Sequence, residues 1–113
     1  VAAQAAWSGT LALAVAVVQP SWTSFHVAYR VGSRHDLRRG AAGRAILAGR
    51  VDDASYVSSE GELQQGASGI AAAVTGVPSV EASVGVVALT GLDPADVGPR
   101  VVQAAAEVSR RLR

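Results

Sequence analysis

The first periodic stretch along the chain is "TLALAVAVV", Thr10 to Val18, where large and small apolar residues alternate strictly. Leu11, Leu13, Val15 and Val17 fall on one side of a two-residue repeat, and Ala12, Ala14 and Ala16 on the other. Successive strand side chains point to opposite faces. The period therefore predicts a β-strand, its large face packed on helices and its alanine face open to close approach. "QPSW" reads as a turn, because Pro20 withdraws a backbone donor. "TSFHVAYRV" resumes the alternation, with Phe25, Val27, Tyr29 and Val31 opposite Ser24, His26, Ala28 and Arg30. The two strands predict an antiparallel hairpin, half-buried.

In "DLRRGAAGRAILAG" the pattern becomes helical, predicting a helix over residues 39–48 with Gly49 as its stop. Gly40 and Gly43 each weaken that helix by up to ~1 kcal/mol relative to alanine. With Ala41 and Ala42 they give it a flat beginning. Two uses fit such a beginning: close packing on a sheet, or approach of a ligand to bare backbone. "ASYVSSEG" predicts a short edge strand or an extended loop. "GIAAAVTG", Gly69 to Thr75, and "VEASVGVVALTG" predict two strands joined by the turn "GVPS", a second hairpin.

"DPADVGPRVVQAAAEVSRRLR" predicts a closing helix with Asp93 as cap and Pro94 at the first helical position. Gly98 and Pro99 leave open a later start at Pro99. Val97, Val101, Ala104, Ala105, Val108 and Leu112 make an apolar stripe at helical spacing. Arg110, Arg111 and Arg113 suit the negative end of the helix dipole. Residues 1–9 read as a linker or helical tail, and residues 10–113 as one domain. Antiparallel hairpins covered by helices predict an α+β fold.

The length, 113 residues, suits one domain. Half the residues are hydrophobic, enough for a core, but aromatic filling is thin: Trp7, Trp22, Phe25, Tyr29 and Tyr56. Without cysteine there is no disulfide, thiolate metal site or cysteine nucleophile, which fits a reducing compartment. The run "LALAVAVV" is far short of the ~20 residues of a membrane span. No basic segment precedes it as in a signal peptide. The chain opens on Val1, which fits a fragment of something longer.

Net charge is +1, too small to indicate nucleic acid, but its distribution is uneven. All ten basic residues are arginine, and six lie between Arg30 and Arg50, opposed there by Asp36 alone. From Val51 to Pro99 there are seven acids and no base. The asymmetry fits solvated faces, or two surfaces of one fold or of two subunits that face each other.

Chemistry-bearing patterns are sparse. His26 and His35 lack metal-ligand spacing, and Asp52–Asp53 is a pair of acids in a turn, so no metal site is expected. No G-x-S-x-G elbow occurs. "GAAGRA" has neither the spacing nor the lysine of a phosphate loop. Nothing resembles a base-reading module. The residues favour binding over catalysis, with no catalytic residue and no cofactor expected.

One pattern is more specific. "YVSSEGELQQGASGIAAAV", followed by "VGVVALTG" and "VVQAAAEVSRRL", resembles the C-terminal effector-binding domain of the IclR family of bacterial transcription regulators, most closely in E-G-E-x-x-x-G-x-x-x-I-A-A-x-V. "RVGSRHDLRRGAAGRAILAG" is similar to the family's basic turn and the helix after it. The resemblance covers about residues 10 to 112. It implies a GAF-like antiparallel sheet with helices packed on it, a cytoplasmic protein that works as a homo-dimer or tetramer, and a small organic acid or aromatic effector. DNA would be bound only through a winged helix-turn-helix domain not present in these residues, and no membrane is involved. Carried over by position, Ala41, Ala42, Ser59, Ala67, Gly69 and Ile70 would line the effector site, with Arg30 or Arg34 as counter-charges at its mouth. The family's usual helical segment before "YVSSEG" is shortened here to residues 49–55. The alternative is an interaction-only dimerisation module, in which the Ser58–Ile70 loop is a surface connection.

Overall fold

The computed structural model describes residues 2–7, 11–17, 32, 34–62, 65–89 and 91–113. In chain order they form β1 (Ala2–Trp7), β2 (Leu11–Val17), β3 (Arg34–Asp36), α1 (Ala41–Gly49), β4 (Tyr56–Glu60), β5 (Ser68–Val74), β6 (Ala82–Ala88) and α2 (Pro94–Leu112). The strands make one six-stranded sheet in the order β3-β2-β1-β6-β5-β4, antiparallel at every pairing. The architecture is α+β, as the alternation of hairpins and helices predicts.

β5 explains how the layers are held. Its odd and even residues point to opposite faces, and both faces are covered. Ala71 packs with Ala41 and Ala45 of α1, while Ile70, Ala72 and Val74 pack with Val84 of β6 and Val101 and Ala105 of α2. The two helices therefore lie on opposite faces of the sheet. A strand buried on both sides reads as a continuous apolar run, and "GIAAAV" is such a run. Small residues let α1 approach closely, and Ile70 supplies volume on the α2 side. Fully burying an isoleucine of this kind contributes about 1.5–3 kcal/mol.

Three expectations are corrected. Residues 2–7, expected as linker or helical tail, are a strand at the sheet's centre, between β2 and β6. The alternation in β2 is interrupted: Ala3 pairs with Ala16 but Gln4 with Ala14, leaving Val15 as the extra residue of a bulge. Val15, expected on the packed face, is accordingly 48 % exposed. α2 starts at Pro94, as the Asp93–Pro94 signal predicts, and runs through Gly98 and Pro99 without the later start left open at Pro99. Its buried line is Gly98, Val101, Ala105 and Ser109, whereas Ala104 and Leu112 are exposed.

Asp93 caps α2 as expected, its Oδ1 accepting from the Ala95 N–H at 3.1 Å. β4 is an edge strand, and β5–β6 is the second hairpin, in unbroken register from Ser68↔Ala88 to Val74↔Ala82. The turn at Gln19–Trp22 and the strand expected over Thr23–Val31, with His26 and Arg30, lie outside the described residues.

Candidate functional site

The first N–H groups of a helix have no partner within it. At α1 the N-cap is Gly40, held at φ 85°, a region that favours glycine, and it has no side chain with which to cap. The acceptors come from the end of β4 and the residues after it. Ser59 Oγ accepts from the Ala41 N–H at 3.2 Å, and Glu62 Oε1 accepts from the Gly40 N–H at 3.0 Å. The polar stretch "SSEGE" is thus the cap of a helix that precedes it in the chain.

Two arginines fasten the same corner. Arg44 of α1 donates through Nη2 to the Ser58 carbonyl at 2.7 Å and to Glu62 Oε2 at 2.6 Å. Arg39 donates to the Glu62 carbonyl at 2.6 Å, and the Gly61 N–H closes the turn onto the Ala67 carbonyl at 2.8 Å. The arginine-rich and acidic halves of the sequence therefore meet within one fold. A second pair, Arg50 Nε to Glu81 Oε2 at 2.8 Å, links the far end of α1 to the start of β6.

Of the residues expected to line a site, the structure brings Ala41, Ser59 and Gly69 together. Ser59 and Gly69 are partners across the β4–β5 ladder. A Cβ built on Gly69 would lie 3.1 Å from Ser59 Oγ and 3.5 Å from Ala41 Cβ. Ala42 is half-buried beside them, its carbonyl accepting from Ser83 Oγ of β6 at 2.9 Å. Ala67 is buried at the turn. Ile70 points the other way, into the α2 cluster, because it follows Gly69 in the strand. Arg34 lies on β3, at the opposite edge of the sheet from β4.

Sequence reasoning passed over Glu62, Arg44 and Arg39. The one available signal was the "EGE" of the resemblance, whose second glutamate is Glu62. Its partners lie 18 to 23 positions earlier, a distance that no local pattern bridges.

Nearby titration is set by charge and burial. Hydrogen bonds from the Arg38 side chain, and then from its backbone N–H, hold the Asp36 carboxyl down at about 2. Burial, and then the Arg39 guanidinium, push His35 below its usual value, while Asp36 opposes that shift. Among the described residues no cluster of three or more His, Cys, Asp or Glu could hold a metal ion. No helix among them is long and apolar enough to cross a membrane.

No protein-family model matches the chain. No curated protein matches it either. Solved structures do. An IclR transcriptional regulator from Alicyclobacillus acidocaldarius superposes with a TM-score of 0.75 at 19 % identity, over 96 % of this chain and 59 % of that one. The C-terminal domain of a Vibrio cholerae protein described as a transcriptional regulator gives 0.72 at 20 % identity, over 98 % and 83 %. The Agobacterium tumefaciens repressor BlcR gives 0.78 at 14 % identity, over 98 % and 58 %. The chain spans somewhat more than half the length of the first and third of these proteins. At such identities the matches show a shared fold, and it is the fold that the resemblance implies.

Proposed function

We propose that this chain is the small-molecule-sensing and oligomerisation domain of a bacterial transcription regulator of the IclR type. The observation that carries the proposal is the junction of α1 with β4 and β5. In a fold shared with transcription regulators, Ala41, Ser59 and Gly69 converge on one face of the sheet, with backbone donors and two arginines around them. Glycine at 69 lets Ser59 and Ala41 close on each other, a Cβ there falling 3.1 Å from Ser59 Oγ. A ligand would therefore be met at the polar rim of the junction, where Ser59, Arg39 and Arg44 supply polarity for a small organic acid or an aromatic compound. The chemistry asked of these residues is recognition. DNA would be read by a separate winged helix-turn-helix domain, and the setting would be the cytoplasm.

A thermal-shift screen of small organic acids and aromatics tests the site. A hit should raise the melting temperature of the wild type and have little effect on Gly69→Leu, whose side chain would push Ser59 and Ala41 apart. Overpacking costs about 1–3 kcal/mol, so the variant must first be shown to be folded. A hit that stabilises both proteins equally would move the site elsewhere.

The second reading, an interaction-only module without a ligand, draws support from the same corner. Ser59 Oγ is already committed to the Ala41 N–H and Glu62 to the Gly40 N–H. A screen without hits alongside clear self-association would favour it.

A further inference from the structure

Glu62 has a contact that simple sensing does not call for. Its two carboxylate oxygens are divided between the Gly40 N–H and Arg44 Nη2. Both are donors that a carboxylate-bearing ligand at the start of α1 would need. The fit to Arg44 is incomplete. Nε and Nη2 form the side-on fork with which an arginine grips a carboxylate through two parallel hydrogen bonds. Glu62 takes Nη2 alone, and Arg44 Nε is buried without a hydrogen-bond partner. A carboxylate free of the chain could take both nitrogens; one tied to β4 and shared with Gly40 takes one. The Glu62–Arg44 pair is also about one-third exposed on each side, so it is screened and open to competition.

We propose that Glu62 is an autoinhibitory latch. The chain's own carboxylate occupies the donors at the start of α1, and a carboxylate ligand engages them by displacing it. Displacement frees the end of β4 from α1 on the Glu62 side, while the Ser59–Ala41 and Arg44–Ser58 hydrogen bonds still tie the two together. The latch also sets affinity, because apparent binding weakens in proportion to the fraction of molecules in which it is open. Its role in ligand binding rests on the sensing reading above; its existence as a closed contact does not.

Amide hydrogen exchange on the ligand-free chain tests the latch by itself, using wild type, Glu62→Gln and Glu62→Ala. The Gly40 amide should exchange about tenfold faster in Glu62→Ala, with a smaller change in Glu62→Gln, whose carbonyl still accepts. Amides of β6 and α2 should keep their wild-type rates. An unchanged Gly40 rate, or equal acceleration throughout the chain, overturns the latch. Sodium acetate, compared with sodium chloride at the same ionic strength, tests the competition. Acetate should slow Gly40 exchange in Glu62→Ala and leave wild type unaffected at the same concentration. No effect on Glu62→Ala, or the same effect on both proteins, overturns the internal competitor. If the exchange and acetate results both hold while no metabolite of the thermal-shift screen stabilises the wild type, the latch stands and the sensing reading falls.

Discussion

A Cβ on Gly98 would sit 2.5 Å from the Tyr56 ring, so the ring lies directly on the α2 backbone. Glycine costs a helix about 1 kcal/mol relative to alanine, yet this position cannot take the methyl while the ring is there. Gly98→Ala should therefore destabilise the wild type by about 1–3 kcal/mol. In a Tyr56→Ala background the same change should be neutral or stabilising by up to ~1 kcal/mol. Urea denaturation of the four proteins of this double-mutant cycle measures the change of sign, and equal effects in both backgrounds would remove the proposed contact. Asp36 supplies a pH-dependent counterpart. Its carboxyl is held at about 2 against an ordinary 3.8, so the unfolded chain takes up the proton first as pH falls. Its contribution is complete above about 3.8 and is lost as pH drops through about 2. Asp36→Asn should flatten the stability profile across that window, as read from urea midpoints; an unchanged acid limb would show that the Arg38 contact is not maintained in solution.

At the scale of elements, α1 and α2 solve the same end problem in different ways. α2 carries its own cap in Asp93 and satisfies the Ala95 N–H locally. α1 has a glycine there and borrows Ser59 and Glu62 from another part of the chain. Ser59→Ala should consequently lower the stability of the ligand-free protein by about 0.5–1.5 kcal/mol, the worth of one neutral hydrogen bond. Thermal melting without any ligand measures this, and an unaltered melting temperature would mean that Ser59 is spare for other partners. The ends of α2 are matched to charge. Asp96 lies in its first turn, and Glu107 binds Arg110 and Arg111 in its last, where hydrogen bonds from the two arginines depress the glutamate's pKa.

Across the described residues, the pairing of β1 with β6 joins the group β3-β2-β1 to the group β6-β5-β4. Among the described residues α2 packs on β4, β5 and β6, whereas α1 also reaches β1 and β2 across the other face. Tertiary ion pairs run between the arginine-rich and acid-rich segments, Arg44 to Glu62 and Arg50 to Glu81. Such partly exposed pairs contribute at most about 1 kcal/mol each, so they orient the two segments more than they stabilise them. The proposed regulator domain should self-associate, giving a dimer or larger species in sedimentation at micromolar concentration. A monomer throughout that range would remove the oligomerisation half of the proposal.

Periodicity and end signals were enough for β2, β5, β6 and α2, because apolar alternation, the "GVPS" turn and the Asp93–Pro94 cap are local and physical. The α+β class follows from their order. β1 was illegible for an equally physical reason. "AAQAAW" is rich in alanine, the strongest helix former, and has no two-residue contrast; pairing with β2 and β6 on both sides makes it a strand. The bulge at Val15 is likewise invisible, since it depends on register against a partner strand. Three of the residues that the family resemblance assigns to a site, Ala41, Ser59 and Gly69, are brought together by the fold. Ile70 parts from them because a strand sends neighbouring side chains to opposite faces. The purpose of "SSEGE" belonged to the tertiary structure: its partners are backbone N–H groups and arginines about twenty residues upstream. Which orphan donors a polar side chain will satisfy is decided when helix and sheet meet.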